Sequence, residues 1–211
     1  MKKIIGLIDY SYGNTQSICN ALNSLKIDFT LCSSAKELDL CSHIILPGVG
    51  SFTATMESLD QLGFLPSLNY NVLNKKKFFL GICVGFQVIF SEGREFGVSK
   101  GLGWVKGNCR KISKINDKNL ILPHNGWNEI QNYDNSKLFY KTKKNDSNFY
   151  FNHSYIVTGV KKEENIICCH TEYGEKFVSA IQYENIFGVQ FHPEKSQENG
   201  LNFLKNFSKL K

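Results

Sequence analysis

An apolar run from Phe78 to Ile82 passes directly into Gly81-Ile82-Cys83-Val84-Gly85, and a second apolar run, Phe86 to Phe90, follows without a break. Few stretches restrict a fold so tightly: a buried strand has to end, the chain has to turn sharply, and a helix has to begin. The spacing G-x-C-x-G is that of the nucleophile elbow G-x-S-x-G, with sulfur in place of oxygen. Side chains at 81 and 85 would collide in such a turn, which accounts for both glycines. Cys83 is lifted clear of its neighbours, and the positive end of the following helix favours a thiolate there. The same residues would also suit a small buried cysteine in a glycine-rich packing contact, so the elbow alone leaves both readings open.

The preceding chain supplies a sheet for such an elbow. From Lys3 to Ile8 it is a short apolar run of the kind buried on both faces of a parallel sheet. A polar loop from Tyr10 to Asn14 leads to a helix from Thr15 to Leu25, with Asn14 as N-cap and Ile18, Ala21, Leu22 and Leu25 on one face. Phe29 to Leu31 reads as strand, Ser33 or Ser34 caps a short helix to Leu40, and His43 to Leu46 is strand again. This alternation predicts an α/β fold, a parallel sheet with helices on both faces. Pro47-Gly48-Val49-Gly50-Ser51-Phe52 follows the third strand directly, where ligands bind in open α/β sheets. Helices are expected near Thr53 to Leu62 and from Pro66 to Asn74.

Beyond Phe90 the chain is broken by Gly93, Gly97, Gly101, Gly103 and Gly107. Short β-like pieces follow at Trp104-Val105, Cys109 to Ile112, Leu120 to Leu122, Asn148 to Phe151, Ile156-Val157 and Ile166 to His170, and predict antiparallel hairpins added to the first sheet. Val178 to Tyr183 and Ile186 to Gln190 read as one hairpin around Glu184-Asn185. A last helix spans Gln197 to Leu210, with Leu201, Leu204 and Phe207 toward the core.

Composition removes several classes. With 42% apolar and 21% charged residues in 211, the chain reads as globular and long enough for one sizeable core. No repeat, low-complexity tract or linker divides it, so residues 1–211 read as a single domain. The net charge of +6 comes from scattered lysines, clustered at 75–77, 141–144 and 161–162. No aromatic–basic alternation accompanies them, which favours solvated surface over a nucleic-acid interface. The seven cysteines, at 19, 32, 41, 83, 109, 168 and 169, are odd in number and have neither C-x-x-C nor zinc-finger spacing, so no metal or cofactor is expected. The N-terminus reads as a strand rather than a signal peptide, and no apolar run reaches the ~20 residues of a membrane span. A reduced, cytoplasmic protein with free thiols is expected.

A nucleophilic Cys83 needs a base. His192 and Glu194 stand two apart around Pro193 at the end of a late strand, where extended backbone points both side chains the same way. A histidine can hold the thiol proton, and a carboxylate can orient the histidine. His43, His124, His153 and His170 read as structural.

With that constellation in place, the sequence resembles the class I (triad) glutamine amidotransferases, and among them the glutaminase subunits of imidazole glycerol phosphate synthases. The resemblance runs through Asp9-Tyr10 to Gly13-Asn14, Pro47 to Phe52, Gly81 to Gln87, Gly101-Leu102-Gly103, Pro123-His124-Asn125-Gly126-Trp127-Asn128, His153-Ser154-Tyr155 and Gly188 to Ser196. It implies a three-layer, flavodoxin-like fold around a mostly parallel sheet. It also implies hydrolysis of L-glutamine through a Cys83 thioester, with His192 and Glu194 completing the triad. Backbone N–H groups of Val84 and of the Val49-Gly50 peptide would bind the oxyanion, the latter after a peptide flip. Gln87, Glu95, Ser154 and Tyr155 would hold the substrate. The ammonia would pass through a channel to a (β/α)₈-barrel cyclase subunit in histidine biosynthesis, with Asn125, Trp127, Tyr150 and Lys195 at the interface.

The chain departs from the family pattern at Val84 and Phe86, usually leucine and methionine, at Asn125, usually methionine, and at Thr15-Gln16-Ser17, which lacks the usual basic residue. The last two departures keep open a paralogue feeding another synthase, such as one amidating a surface sugar. A free-standing cysteine hydrolase of γ-glutamyl compounds also stays open. The intact Cys83, His192 and Glu194 speak against a scaffold without catalysis.

Overall fold

The structure, a computed structural model, describes residues 3–11, 13–113, 119–133, 136–140, 142, 147–161 and 165–211. Tyr12 of the first loop and Lys141, Lys143, Lys144 and Lys162 of the lysine clusters lie outside the described residues. Lys77 is more than solvated surface: its ammonium donates to the Leu38 and Asp39 carbonyls.

Strands β1 (Ile5–Ile8), β2 (Phe29–Cys32), β3 (His43–Leu46) and β4 (Phe78–Ile82) are parallel, in the order β2-β1-β3-β4. Every residue of β1 and β3 is buried, as unbroken apolar runs demand. Between the strands come α1 (Thr15–Ser24), a 3₁₀ turn (Ala35–Leu40), α2 (Phe52–Gln61) and α3 (Phe64–Asn69), which continues as a widened π turn over Tyr70–Asn74. Ser51 caps α2 by accepting the Ala54 N–H, and the Glu37 carboxylate accepts the Ser34 N–H at the head of the 3₁₀ turn. Asn14 stands at the N-cap of α1 but bonds the Ser17 hydroxyl instead of a backbone amide. Pro66 is the third residue of α3, not its opener; a first-turn proline forfeits no helical hydrogen bond.

The elbow helix is shorter than expected. α4 (Val84–Gln87) is a single turn, and Phe90 opens strand β5 (Phe90–Gly93) where helix was predicted. Val88 and Ile89 form a turn, and β5 finds partners in β6 (Ser99–Lys100) and β7 (Val105–Lys111). Cys83 is therefore followed by one helical turn, whose Phe86 and Gln87 N–H groups donate to its own carbonyl, and not by a long helix. β7 is one strand where two pieces were expected. Gly107, at φ +154°, takes up the extra residue of a bulge against β5.

Leu120 to Leu122 forms no strand; Pro123 follows and has no N–H to offer a ladder. Instead β8 (His124–Glu129), too polar to stand out, pairs with β9 (Asn148–His153) in a separate two-stranded sheet. The main sheet continues through β10 (Tyr155–Thr158), β11 (Ile166–Tyr173), β12 (Glu175–Tyr183) and β13 (Ile186–Val189), and α5 (Gln197–Lys209) closes the chain. β12 and β13 form the expected hairpin at Glu184-Asn185. On its other edge β13 runs parallel to β4, with Gly188 opposite Gly81. Among the described residues the main sheet has eleven strands, ordered β2-β1-β3-β4-β13-β12-β10-β7-β5-β6, with β11 also on β12. Its first five strands are parallel, and the later strands, joined mostly antiparallel, extend the same sheet. Beneath α5, Phe203, Leu204 and Phe207 are buried, while Leu201 is half-buried.

Candidate active site

Because β4 and β13 are neighbours and parallel, Cys83 and the residues after Val189 leave the sheet at the same end. The Cys83 N–H donates to the Val189 carbonyl at 2.8 Å, carrying the pairing one step past β4. Cys83 then takes φ +55° and ψ −108°, a state a non-glycine residue holds only when its surroundings impose it. The imposition is steric: a Cβ on Gly85 would land in the Leu46 carbonyl, and one on Gly81 in the Gly85 carbonyl. The elbow is jammed between two strand ends with no room for side chains at either glycine.

Cys83 and His192 line one cavity of about 160 Å³, together with Val49, Gly50, Val84, Gln87, Glu95, Ser154 and Tyr155. Asn152 and His153, which sequence reasoning had not placed there, complete its wall. The volume is below the ~300–1,000 Å³ of drug-sized sites and suits a small metabolite. Behind the ring, His192 Nδ1–H donates to Glu194 Oε1 at 2.8 Å, and both side chains are almost fully buried. Glu194 Oε2 is buried and without a hydrogen-bond partner among the described residues. Burial opposes charge on the His192 ring, but the Cys83 sulfur and the Glu194 carboxylate outweigh it and raise the imidazole from 6.5 to about 10. At neutral pH the ring holds two protons, one of them on the side facing sulfur.

The remaining candidates fall into two groups. In the first, Glu95 accepts the Phe52 N–H at 2.9 Å, so its carboxylate is anchored by the head of α2. Gln87 donates to the Tyr155 carbonyl at 3.1 Å and to Gln190 Oε1 at 3.0 Å. Val84 is the first residue of α4, where an N–H has no intrahelical partner. Gly50 holds φ +146°, with nothing within 4 Å of a Cβ position.

The second group gathers around Tyr150. Its hydroxyl donates to Asn125 at 2.7 Å, Trp127 meets its ring edge-on at 6.2 Å, and the Lys195 ammonium sits 5.8 Å from the ring centroid. Trp127 is 48% exposed and so is no core residue. The patch is tied to the base: the Tyr150 carbonyl accepts the His192 N–H at 2.8 Å.

His153 and His124 form a buried pair. His153 Nδ1–H donates to the Tyr155 carbonyl at 2.9 Å, leaving Nε2 to accept from His124 Nδ1 at 3.1 Å. His124 Nε2 then accepts from Asn128 at 3.2 Å. Burial lowers His124 to about 4, and burial with the neighbouring histidine lowers His153 to about 3. Both are neutral, as a one-way relay of donors requires. His43, stacked on Phe78 and edge-on to Phe207, sits in the core away from the cavity.

A cysteine, a charged histidine and a buried carboxylate, set on an α/β elbow beside a small cavity, are the parts that thiol-dependent acyl transfer uses. The profile of class-I glutamine amidotransferases matches residues 6–210. Curated relatives include "Imidazole glycerol phosphate synthase subunit HisH 1" of Campylobacter jejuni, 41% identical over 98% of this chain and 100% of its own length. The HisH subunit of Leptospira interrogans is 39% identical over 98% and 100% of the two chains, and that of Bacillus subtilis 36% over 98% and 96%. Among solved structures, a glutamine amidotransferase superposes with a TM-score of 0.70 at 15% identity, over 96% of this chain and 98% of that one. PurLQS from Thermotoga maritima gives 0.69 at 18% identity over 98% of each; at these identities the likeness speaks for the fold. The chain belongs to the class-I glutamine amidotransferases and, within them, to the HisH subunits of imidazole glycerol phosphate synthase.

Proposed function

We propose that this chain performs the glutaminase half-reaction of imidazole glycerol phosphate synthase with Cys83 as nucleophile, His192 as proton carrier and Glu194 as its orienting base. The observation that carries the reading is the line itself: sulfur and protonated ring at the wall of one cavity, with the buried Glu194 carboxylate directly behind the ring. The sulfur adds to the side-chain amide carbon of glutamine, and the oxyanion takes N–H bonds from Val84 and from the rotated Val49-Gly50 peptide. His192 gives its proton to the nitrogen as the C–N bond breaks, and ammonia leaves a γ-glutamyl thioester. His192, now neutral, draws a proton from water, hydroxide adds to the thioester, and glutamate departs. Glu95, Gln87 and the Ser154-Tyr155 segment hold the α-amino and α-carboxylate groups. No metal or cofactor enters this sequence of steps.

Ammonia in water is mostly protonated and then is no nucleophile, so it has to be handed on under cover. The receiver in this proposal is a (β/α)₈-barrel cyclase subunit docked over Asn125, Trp127, Tyr150 and Lys195, and residues 1–211 act as one unit in the cytoplasm. In the assembled complex, Cys83→Ala should abolish synthesis from glutamine and leave synthesis from added ammonia intact. Continued glutamine consumption by that complex would refute the assignment of the nucleophile.

A further inference from the structure

Gln190 has no part in the steps above, yet its side chain touches the reacting atom. It is fully buried at the end of an otherwise apolar strand, next to Val189 and Phe191. Its Nε2 donates to Cys83 Sγ at 3.7 Å, and its Oε1 accepts the Gln87 amide at 3.0 Å. Hydrogen-bond chemistry fixes both amide orientations. The Tyr155 carbonyl can only accept, so the Gln87 nitrogen faces it at 3.1 Å. The second N–H of Gln87 then needs an acceptor, which turns Gln190 Oε1 toward it and leaves the Gln190 N–H groups for the sulfur.

The titratable groups around Cys83 are His192, Glu95 and His153, which line the cavity with it, and Tyr10 after β1 and Cys109 on β7, which feel its charge. The Glu95 carboxylate accepts the Phe52 N–H, the Tyr10 hydroxyl donates to the Pro47 carbonyl, and burial keeps the Cys109 thiol neutral. His153 is held neutral and has both ring nitrogens engaged. The side chains that hydrogen-bond the sulfur are His192 and Gln190, and His192 has to give its proton away during the reaction. Gln190 cannot lose its own. A hydrogen bond to an ionised acceptor is about twice as strong as one between neutral groups, so this donor favours thiolate over thiol.

We propose that Gln190 is a positioning residue of the glutaminase reaction: its fixed N–H keeps the Cys83 sulfur anionic and aimed at the cavity. When the S–C bond of the thioester breaks, sulfur keeps the electron pair, and the same N–H stabilises the departing thiolate by hydrogen bonding. This rests on Cys83 being the nucleophile, and the experiment separates the two claims. The chain is alkylated with iodoacetamide across a pH series, and modification of the Cys83 peptide is followed by mass spectrometry, since six other cysteines are present.

Replacing Gln190 by methionine (Q190M) keeps the bulk and removes the donor. It should raise the pH midpoint of Cys83 alkylation by roughly one unit, a tenfold loss of reactive sulfur below the midpoint. Q190E, which sets a carboxylate against the sulfur, should raise it further. A merely structural glutamine would lower Tm and leave the midpoint where it was, and that result in Q190M overturns the proposal. A second readout needs no Gln190 variant: the ¹⁵N side-chain amide signal of Gln190 should move through the alkylation midpoint in the native chain and stay still in Cys83→Ala. A signal that is still in both overturns the proposal as well. A native Cys83 that takes no reagent at any pH overturns the nucleophile itself, whereas a normal native titration with an unchanged Q190M midpoint removes only the role of Gln190.

Discussion

Replacing Glu194 by glutamine should slow glutamine turnover without weakening glutamine binding. The carboxylate accepts the His192 Nδ1–H at 2.8 Å, and both side chains are at most 3% exposed, so solvent screens the contact very little. A hydrogen bond to a charged group contributes about 1.5–3 kcal/mol, and at a tenfold rate change per ~1.4 kcal/mol its loss costs about 10- to 150-fold. Glu194 stands behind the ring and does not line the cavity, so the loss belongs in kcat and KM should stay within about twofold. Glu194 also helps to raise the His192 ring above 6.5 toward about 10. Its removal lowers that value, and the alkaline limb of the kcat profile should move to lower pH. The assay is glutamate release by the assembled complex over a pH series. Unchanged kcat with an unmoved alkaline limb, or a loss confined to KM, would refute this account of how the carboxylate works.

Other outcomes follow from the same structure. Gly85→Ala drives a methyl group into the Leu46 carbonyl, and backbone yields poorly. A cost of ~1–3 kcal/mol should lower Tm by roughly 2–12 °C in thermal unfolding, with loss of Cys83 labelling, and an unchanged Tm would contradict the packing described. His124 and His153 are depressed from 6.5 to about 4 and about 3, so the unfolded chain binds protons that the folded chain refuses. Their stabilising contribution is full above 6.5 and is lost as pH falls from there through the folded values, at up to ~1.4 kcal/mol per pH unit for each histidine. Denaturant titrations of the native chain and of His124→Asn should therefore diverge in slope below pH 6.5; parallel curves would show the pair to be charged or exposed.

How far these features were legible follows from their range. The parallel half of the sheet was readable because β1, β3 and β4 are buried on both faces, and such strands leave continuous apolar runs. The elbow was readable because only glycine fits at 81 and 85. α4 was overread: Val88 to Phe90 are apolar in either state, but Val88 and Ile89 turn and Phe90 pairs with Val105 of β7. β8 escaped notice because Asn125, Gly126 and Asn128 mask its alternation, and its stability comes from cross-strand pairing with β9. Of the site residues, Cys83, His192 and Glu194 announced themselves by chemistry at short spacing. Gln190 gave a signal that went unread, a glutamine enclosed by apolar neighbours. His153 gave none, because its place at the cavity depends on a register with His124 that no local pattern encodes.

The most direct measurement is rapid acid quench of the assembled enzyme during glutamine turnover, followed by peptide mass mapping of all seven cysteines. A γ-glutamyl adduct on Cys83 and on no other cysteine is the expected result. Steady turnover with Cys83 never modified, or an adduct on a different cysteine, would contradict the mechanism at its first covalent step.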